Sequence, residues 1–306
     1  MINIENLTKK FGEVTAVEGL NFQVEEGEVF GFLGPNGAGK TTTVRMLCCL
    51  ISKSGGEATI GAYHIGGSDD SLQIRKMIGL VPDNVGLYDD LTAFENLDFY
   101  GKLYECPEGP RRENIERFLK MLDLWERKNA RAGSFSKGMK QKLALARALV
   151  HEPKILFMDE PTANLDPESA KTVRDFILEL KKQGRTIFLN THNLDEAQRI
   201  CDRIGIIKTR LLRLGTPEQL RDSLTKPKTE IKLAQVTGNM LDALRKLIPN
   251  KIDVSDNKLL IDVTDSDKEN PAIIAAITSS GGQVREVTQL VPTLEDVYLQ
   301  IVKETK

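Results

Sequence analysis

Residues Gly34–Thr41 have the sequence GPNGAGKT, which matches the Walker A pattern G-x-x-x-x-G-K-[ST] of phosphate-binding loops. An apolar segment, Glu28–Leu33, precedes the loop, and a helical pattern, Lys40–Leu50, follows it. A strand, a glycine-rich loop and a helix in this order favour a backbone that curls around phosphate oxygens, to which the helix presents its positive N-terminus. We therefore predict a P-loop that binds a nucleotide.

Two side chains of this loop have the chemistry that a nucleotide triphosphate requires. The Lys40 ammonium is predicted to reach the β- and γ-phosphates, and the Thr41 hydroxyl is predicted to ligate Mg²⁺. The other residues of the loop and helix start that we expect to contact ATP are Asn36, Gly37, Ala38, Gly39 and Thr42.

A second apolar segment, Ile155–Met158, is followed directly by Asp159 and Glu160. A strand this hydrophobic is expected inside the sheet. Its end then emerges beside the phosphate loop, because ligands of open α/β sheets bind at the carboxyl ends of the strands. We predict that Asp159 holds Mg²⁺, directly or through water, and that Glu160 orients or deprotonates the attacking water.

Strand and helix patterns alternate along the first two thirds of the chain, which is typical of an α/β fold with a largely parallel sheet. Helical patterns dominate residues 92–128, and Asn114–Trp125 has apolar residues at helical spacing. Ser136 is suited to cap a further helix over Lys140–Val150.

The last part of the chain has a different character. The polar stretch Thr225–Lys228 is predicted to be a linker. Beyond it the elements follow the order βαββαβ, including a helix over Ala272–Ser279 and a strand over Val284–Val291. This order predicts a small α+β domain of the ferredoxin-like type.

The bulk properties exclude several classes. The net charge of −2 disfavours non-specific nucleic-acid binding, and no nucleic-acid partner is expected. Apolar runs fall short of the roughly 20 residues of a transmembrane helix. The first residues lack the apolar core of a signal peptide. We expect a cytoplasmic chain that reaches the membrane only through a partner.

Three further motifs separate this chain from other P-loop NTPases, such as recombinase-like motors. Phe135–Gln141, FSKGMKQ, resembles the Leu-Ser-Gly-Gly-Gln signature of the ATP-binding cassette (ABC) ATPases. Asp159–Pro167, DEPTANLDP, resembles their acidic strand and D-loop, and Thr191–His192 resembles their switch histidine. The resemblance covers about residues 1 to 220. It implies an α/β P-loop NTPase with a RecA-like core, an antiparallel β subdomain and a helical subdomain.

The resemblance also implies an organisation. An ABC ATPase domain is expected over residues 1–224, with a helical subdomain over about 84–150, and an accessory domain over residues 229–306. In this family two cassettes sandwich two ATP molecules head to tail. Ser136, Lys137 and Gly138 would then contact, in trans, the ATP held by the partner's P-loop. One P-loop and one signature in the chain predict a homodimer.

Individual roles follow from the same resemblance. Phe11 occupies the position of an aromatic ring that stacks on adenine, although an aromatic residue on a turn also suits a hydrophobic core. His192 is expected near the γ-phosphate, which makes it a catalytic residue together with Glu160 and Lys40. Asp166 belongs to the loop that crosses to the partner chain.

Three positions depart from the family pattern. Asp83 stands where most members have a glutamine that senses Mg²⁺ and the transporter; a carboxylate accepts but does not donate hydrogen bonds, yet can still bridge to Mg²⁺. Lys137 replaces the first glycine of the signature, where its charge aids ATP capping or points to solvent. Phe135 replaces leucine, which we interpret as a change in packing.

The segments 82–97 and 292–298 resemble the daunorubicin-exporter branch of the family. In that branch the ATPase pairs with a separate membrane permease and usually drives export, and a surface formed by about residues 83–100 would meet the permease. Two alternatives remain. One is a soluble ABC ATPase of translation or DNA repair, although those carry two cassettes or a long coiled coil. The other is a regulatory protein that senses ATP without hydrolysing it.

Overall fold

The computed structural model describes residues 1–222, 228–248, 252–290 and 293–304. The chain divides into two compact units, Met1–Pro217 and Glu218–Lys306. Residues 225–227 of the expected linker, and residue 291 at the end of the expected last strand, lie outside the described residues. Within the described ranges, no helix combines the length and the apolar character needed to cross a bilayer.

The first unit alternates strands and helices. Its strands are β1 (Ile2–Phe11), β2 (Val14–Val24), β3 (Val29–Leu33), β4 (Gly55–Ile60), β5 (Tyr63–His64), β6 (Ile78–Val81), β7 (Ile155–Asp159), β8 (Thr186–Thr191), β9 (Arg203–Lys208) and β10 (Arg210–Gly215). Its α-helices are α1 (Lys40–Leu47), α2 (Ser68–Met77), α3 (Ala93–Leu103), α4 (Glu108–Met121), α5 (Lys137–Leu149), α6 (Pro167–Lys182) and α7 (Leu194–Ile200). The helix α8 (Pro217–Asp222) lies where the two units divide.

Two sheets organise this unit. The larger has the order β10-β9-β3-β8-β7-β6, with parallel pairing from β9 to β6 and β10 antiparallel at one edge. The smaller is antiparallel, with the order β2-β1-β4-β5. The predicted α/β fold with a largely parallel sheet and an antiparallel β part is confirmed. The sequence patterns did not reveal α2, β6 or β10.

One hydrophobic cluster joins both sheets and helix α1. Its centre is aromatic: the rings of Phe22 and Phe30 are stacked with centroids 5.1 Å apart, and Phe188 lies within 5.4 Å of both Phe30 and Phe157. Removing one such fully buried ring would cost about 3–5 kcal/mol, because the cavity left behind cannot close. This cluster fixes the strands whose ends carry the site.

The helices α3, α4 and α5 form the predicted helical part. The apolar residues expected on one face of α4 and just after it are all fully buried: Ile115, Phe118, Leu119 and Leu122. Helix α5 begins at Lys137, three residues earlier than the sequence pattern indicated. The reason is its cap: the Ser136 hydroxyl accepts the N–H of Met139, which starts the helix directly after the serine.

The second unit contains β11 (Lys228–Leu233), α9 (Gly238–Leu247), β12 (Ile252–Ser255), β13 (Lys258–Asp262), α10 (Ser266–Ser279), β14 (Val284–Leu290) and α11 (Leu294–Glu304). Its antiparallel sheet has the order β12-β13-β11-β14, which confirms the predicted ferredoxin-like arrangement. Helix α10 starts six residues before the predicted Ala272, because Asp265 caps it, and it continues through Pro271.

The parallel register brings distant residues to one edge of the large sheet. Leu33, at the end of β3, pairs with Thr191 at the end of β8, and Asp159, at the end of β7, pairs with Asn190. The segments that follow these strands therefore leave the sheet side by side. The phosphate loop follows β3, the acidic pair ends β7, and His192 follows β8.

Candidate active site

The phosphate loop needs glycine at two positions for steric reasons. A Cβ on Gly34 would lie 2.4 Å from the carbonyl oxygen of Ile207, and one on Gly39 would lie 2.4 Å from that of Ala16. Gly39 also has a φ of 98°, a left-handed conformation that side chains rarely adopt. Strand β9 and the β2 hairpin thus pack directly on the loop and hold its curled shape.

Lys40 is buried at the start of α1, and its ammonium donates to the carbonyl oxygens of Gly34, at 2.6 Å, and Pro35, at 3.2 Å. Burial lowers the pKa of Lys40, while the nearby carboxylates of Glu160 and Asp159 oppose that shift. The ammonium is therefore held inside the loop by weak neutral acceptors. An anion in the loop can offer it a stronger partner.

Oxygen ligands for a hard cation meet where the loop faces β7. The Thr41 hydroxyl donates to Asp159 Oδ2 at 2.7 Å, and the Asn190 amide donates to Asp159 Oδ1 at 3.3 Å. In the described residues, no group of three or more His, Cys, Asp and Glu side chains could hold a metal. Mg²⁺ typically takes only one or two carboxylates and completes its shell with water and phosphate oxygens. The hydroxyl and carboxylate present here fit that ion.

Glu160 and His192 form a direct pair at the mouth of the site. His192 Nδ1 lies 2.7 Å from Glu160 Oε1, and the histidine is the more exposed member. Glu160 has a φ of 51°, and its N–H donates to the Asn190 carbonyl at 3.0 Å. A non-glycine residue held at positive φ is uncommon and often marks a functional position.

The phosphate loop, Asp159 and Glu160 line a cavity of about 420 Å³, and His192 is not among its lining residues. The sequence-predicted residues that line it are Phe11, Asn36, Gly37, Ala38, Gly39, Lys40, Thr41, Thr42, Asp83, Asp159 and Glu160. Phe11 is 51% exposed, which argues against the alternative of a core aromatic residue, and the Lys9 ammonium lies 4.8 Å from its ring centroid. An exposed ring at a cavity rim is available for stacking on a flat ligand.

The signature residues are not part of this cavity. Ser136 and Lys137 are exposed at the N-terminus of α5, and none of Ser136, Lys137 and Gly138 is among the described residues that line the cavity. A Cβ on Gly138 would lie 2.4 Å from Ser169 Oγ, so the glycine lets α5 pack closely against the start of α6. The structure gathers the P-loop, the acidic pair and His192, and leaves the signature outside the cavity.

Sequence reasoning overlooked some residues around the site. Ala16 lines the cavity, Asn190 contacts Asp159, and Glu196 bonds to Thr191, the residue before His192. Local sequence carries no signal for Asn190, because its contact depends on the pairing of β7 with β8. Glu196 could have been found as a carboxylate just behind the switch histidine.

A Walker A loop backed by a parallel sheet, an acidic pair on the neighbouring strand, and a separate signature helix with a serine cap together define an ABC-type ATPase. Comparisons with known proteins agree. Residues 17–163 match the family model of the ABC transporter, and residues 215–302 match that of the C-terminal domain of DrrA1-3-like ATP-binding proteins.

Several characterised proteins are similar along most of the chain. The linearmycin resistance ATP-binding protein LnrL of Bacillus subtilis (strain 168) is 33% identical over 100% of this chain and 99% of its own length. The daunorubicin resistance ATP-binding protein DrrA3 of Streptomyces coeruleorubidus is 30% identical over 98% and 95%. The Nod factor export ATP-binding protein I of Ralstonia nicotianae is 35% identical over 81% and 76%.

Solved structures show the same cassette. The dimeric cassette MJ0796, in a post-hydrolysis state with ADP and Pi, is 29% identical and has a TM-score of 0.64, covering 71% of this chain and 98% of its own. An ATP-binding subunit of an ABC transporter gives a TM-score of 0.67 over 73% and 92% at 29% identity. The chain belongs to the ABC transporter family as an ATP-binding subunit, and its enzymatic activity is ATP hydrolysis.

Proposed function

We propose that this chain binds ATP with Mg²⁺ in the cavity at the P-loop and hydrolyses it to drive a separate membrane permease. The observation that carries the proposal is the meeting of Lys40, Asp159 and Glu160 on one cavity, while the signature lies elsewhere. A cavity of about 420 Å³ is within the usual range for small-molecule sites. Its polar groups are those that phosphoryl transfer to water requires.

The predicted site residues that line the cavity each have a proposed task. The amides of residues 36–42 and the Lys40 ammonium bind the phosphates, and the Phe11 ring stacks on adenine. Thr41 and Asp159, with Asp83 on the same cavity, hold Mg²⁺. When bound, that ion neutralises charge on the β- and γ-phosphate oxygens. The burial of Lys40 strengthens its attraction to a phosphate, since no bulk water screens it.

The Glu160–His192 pair is proposed to activate water. A carboxylate only accepts, so His192 Nδ1–H donates a hydrogen bond to Glu160 Oε1 and fixes that side of the carboxylate. Oε2 is then left to accept the proton of the attacking water. The imidazole Nε2, on the opposite side of the ring, is directed away from Glu160 and can address the γ-phosphate.

The exposed signature supports a head-to-tail homodimer. Ser136, Lys137 and the first amides of α5 offer a second anion site, but it lies outside the chain's own cavity. Each ATP would then be capped by the partner's signature, and Asp166 would approach the partner. The division into residues 1–224 and 229–306 belongs to the same proposal, with the second domain steadying the dimer.

A mixing experiment tests this dimer. Lys40→Ala disables the P-loop of one chain, and Ser136→Arg blocks the signature of another. A mixed dimer places both defects in one site and leaves the other site intact. Each variant alone is expected to be inactive, and an equal mixture should recover about a quarter of wild-type activity, since half of the dimers each keep one site. An inactive mixture would contradict head-to-tail assembly.

We further propose that the permease partner is an exporter and that the chain works at the cytoplasmic face of the membrane. The relatives named for drug resistance and Nod factor export support this direction.

An aromatic pair on α3 and the segment before it supports a docking surface for the permease. Tyr88 and Phe99 are exposed large hydrophobic residues, with ring centroids 5.2 Å apart. Exposed apolar patches of this kind often mark protein interfaces.

Isolation of the chain from its native membranes, with ATP present, tests the partner. A polytopic membrane protein in stoichiometric amount is expected. Co-purification of ribosomes or DNA would instead favour the alternative of an ABC ATPase in translation or repair. ATP binding without turnover would favour the alternative of an ATP sensor.

A further inference from the structure

Glu196 is a buried carboxylate in the first turn of α7, with an exposed fraction of only 2%. Each of its two oxygens accepts a hydroxyl proton from a different segment. Thr162 Oγ1 donates to Oε1 at 2.6 Å, and Thr191 Oγ1 donates to Oε2 at 3.1 Å. The carboxylate thus bridges two threonines that lie 29 positions apart along the chain.

Both threonines lie next to the proposed catalytic pair. Thr162 is two residues after Glu160, at the start of the loop that continues to Asp166. Thr191 is the last residue of β8 and immediately precedes His192. The Glu196 carboxylate therefore joins the loop that carries Glu160 to the segment that carries His192.

The segment around His192 is fixed by further bonds from the same helix turn. The Asn193 side chain accepts the backbone N–H of Glu196 at 3.1 Å, and the Asn193 N–H donates to Thr191 Oγ1 at 3.0 Å. The Thr191 hydroxyl thus accepts from one side of His192 and donates to Glu196. These hydrogen bonds form a ring around residues 191–193, which includes the backbone of His192.

Burial of a charged carboxylate at position 196 is unfavourable in free energy. Burial is the largest influence on the pKa of Glu196 and raises it, with the two threonine bonds opposing and the Glu160 charge adding to the rise. A buried ionisable group usually contributes little to stability, and its replacement by an apolar residue of similar volume is often neutral or stabilising. The position of Glu196 is therefore better explained by what its two acceptor oxygens hold together.

We propose that Glu196 is a positioning residue that ties the loop from Glu160 to Asp166 to the switch histidine, so that both move as one body when a second copy closes over ATP. Glu196 does not line the cavity and is not expected to contact ATP. Its effect passes through the distance between Glu160 and His192. This inference rests on the proposed roles of that pair.

Glu196→Gln in the full chain is the central variant, because a carboxamide keeps the size but one of its ends donates, so it cannot accept from both threonines. The matched control is Asp195→Asn, which removes the same charge from the same helix turn at an exposed side chain. We expect Glu196→Gln to lower kcat about tenfold with KM for MgATP changed less than about twofold, since displaced catalytic groups slow the reaction and the phosphate contacts stay. Asp195→Asn should leave both constants unchanged.

Thr162→Val supplies an independent variant if Glu196→Gln folds poorly, since it removes only a partly exposed hydroxyl. Its loss in kcat and that of Glu196→Gln should be less than additive in the double variant, because both weaken the same bridge between the two segments. A normal kcat in Glu196→Gln, or fully additive losses, would overturn the inference. Glu160→Gln, measured in parallel, separates the positioning role of Glu196 from the catalytic role of Glu160 and His192. Full activity in Glu160→Gln would refute the proposed catalytic pair itself.

Discussion

His192 Nδ1 and Glu160 Oε1 are 2.7 Å apart, although the two residues belong to segments that leave the sheet from different strands. Glu160 is 15% exposed in its side chain and His192 is 60% exposed. The carboxylate is therefore set into the site, while the imidazole covers it from the solvent side. Glu160 can therefore be held in position within the site, while the exposed His192 side chain can still contact whatever binds on the solvent side.

Glu160→Gln tests the carboxylate. The amide keeps the shape of the site but cannot take a proton from water, so kcat should fall by about 10² to 10⁴, the usual contribution of a general base. ATP binding should persist, and the variant should accumulate as an ATP-bound dimer in size-exclusion chromatography. Glu26→Gln, at an exposed turn and not among the residues that line the cavity, is the control. A wild-type rate in Glu160→Gln would remove the residue from the mechanism.

Lys40→Ala removes the cation of the loop. Nucleotide affinity should weaken about 10- to 150-fold, as expected for the loss of a charge-assisted bond worth about 1.5–3 kcal/mol. Isothermal titration with ATP measures this change. Lys10→Ala, an exposed lysine on β1, should bind normally. Equal affinity in the Lys40 variant and the wild type would contradict the assignment of the loop.

Phe11→Ala tests adenine stacking. Truncation of a stacked aromatic residue typically costs about 1–3 kcal/mol per base, so ATP should bind about 5- to 150-fold more weakly. Affinity for inorganic triphosphate should not change, and Phe11→Tyr should restore ATP binding. The matched control is Val14→Ala, because Val14 pairs with Phe11 across the hairpin and is also exposed. A parallel loss of triphosphate affinity would point instead to damage of the loop.

His151 predicts an acid-sensitive first unit. Its ring stacks on Tyr104 with centroids 3.7 Å apart, and burial lowers its pKa from 6.5 to about 4, against the opposing bond to the Ile78 carbonyl. The folded pKa is below the unfolded one, so the stabilising effect is full above about pH 6.5 and is lost as the pH falls towards 4. At pH 5 the free energy of unfolding is lower by about 2 kcal/mol than at neutral pH.

Urea unfolding of the wild type and of His151→Phe, at pH 7.5 and pH 5.0, measures this effect. Trp125 is the single tryptophan and lies in the first unit, so its fluorescence reports that unit alone. On acidification, the free energy of unfolding of the wild type should fall by about 2 kcal/mol more than that of the variant, because the two proteins share all other titrating groups. Equal losses in both proteins would mean that His151 is not buried in its neutral form.

The sequence was a good guide wherever the signal was local. The loop Gly34–Thr41, the strand before Asp159 and the βαββαβ order all rest on neighbouring residues, and the structure shows each element in place. Element starts were less accurate where a cap decided them, as at Ser136 and Asp265. The serine and aspartate side chains begin these helices earlier than the apolar pattern suggests.

The residues behind the site could not be predicted in the same way. Asn190 reaches Asp159 only through the pairing of β7 with β8, and the bond from Thr162 to Glu196 also joins distant segments, which local periodicity does not encode. The pairing of Glu160 with His192 depends on the same register. The sequence could name the two residues through family resemblance, but the hydrogen bond between them required the sheet.

The parallel sheet also determines when the site comes into existence. The Thr41 hydroxyl and the Asp159 carboxylate are 118 positions apart in the chain, yet they share a hydrogen bond. Contacts of such long sequence separation form slowly, because a large loop must close before they gain anything. During synthesis, a nascent chain has a P-loop sequence long before β7 and β8 emerge to complete its surroundings. Regained ATPase activity is therefore a late marker of refolding, and it should lag behind the recovery of helical signal.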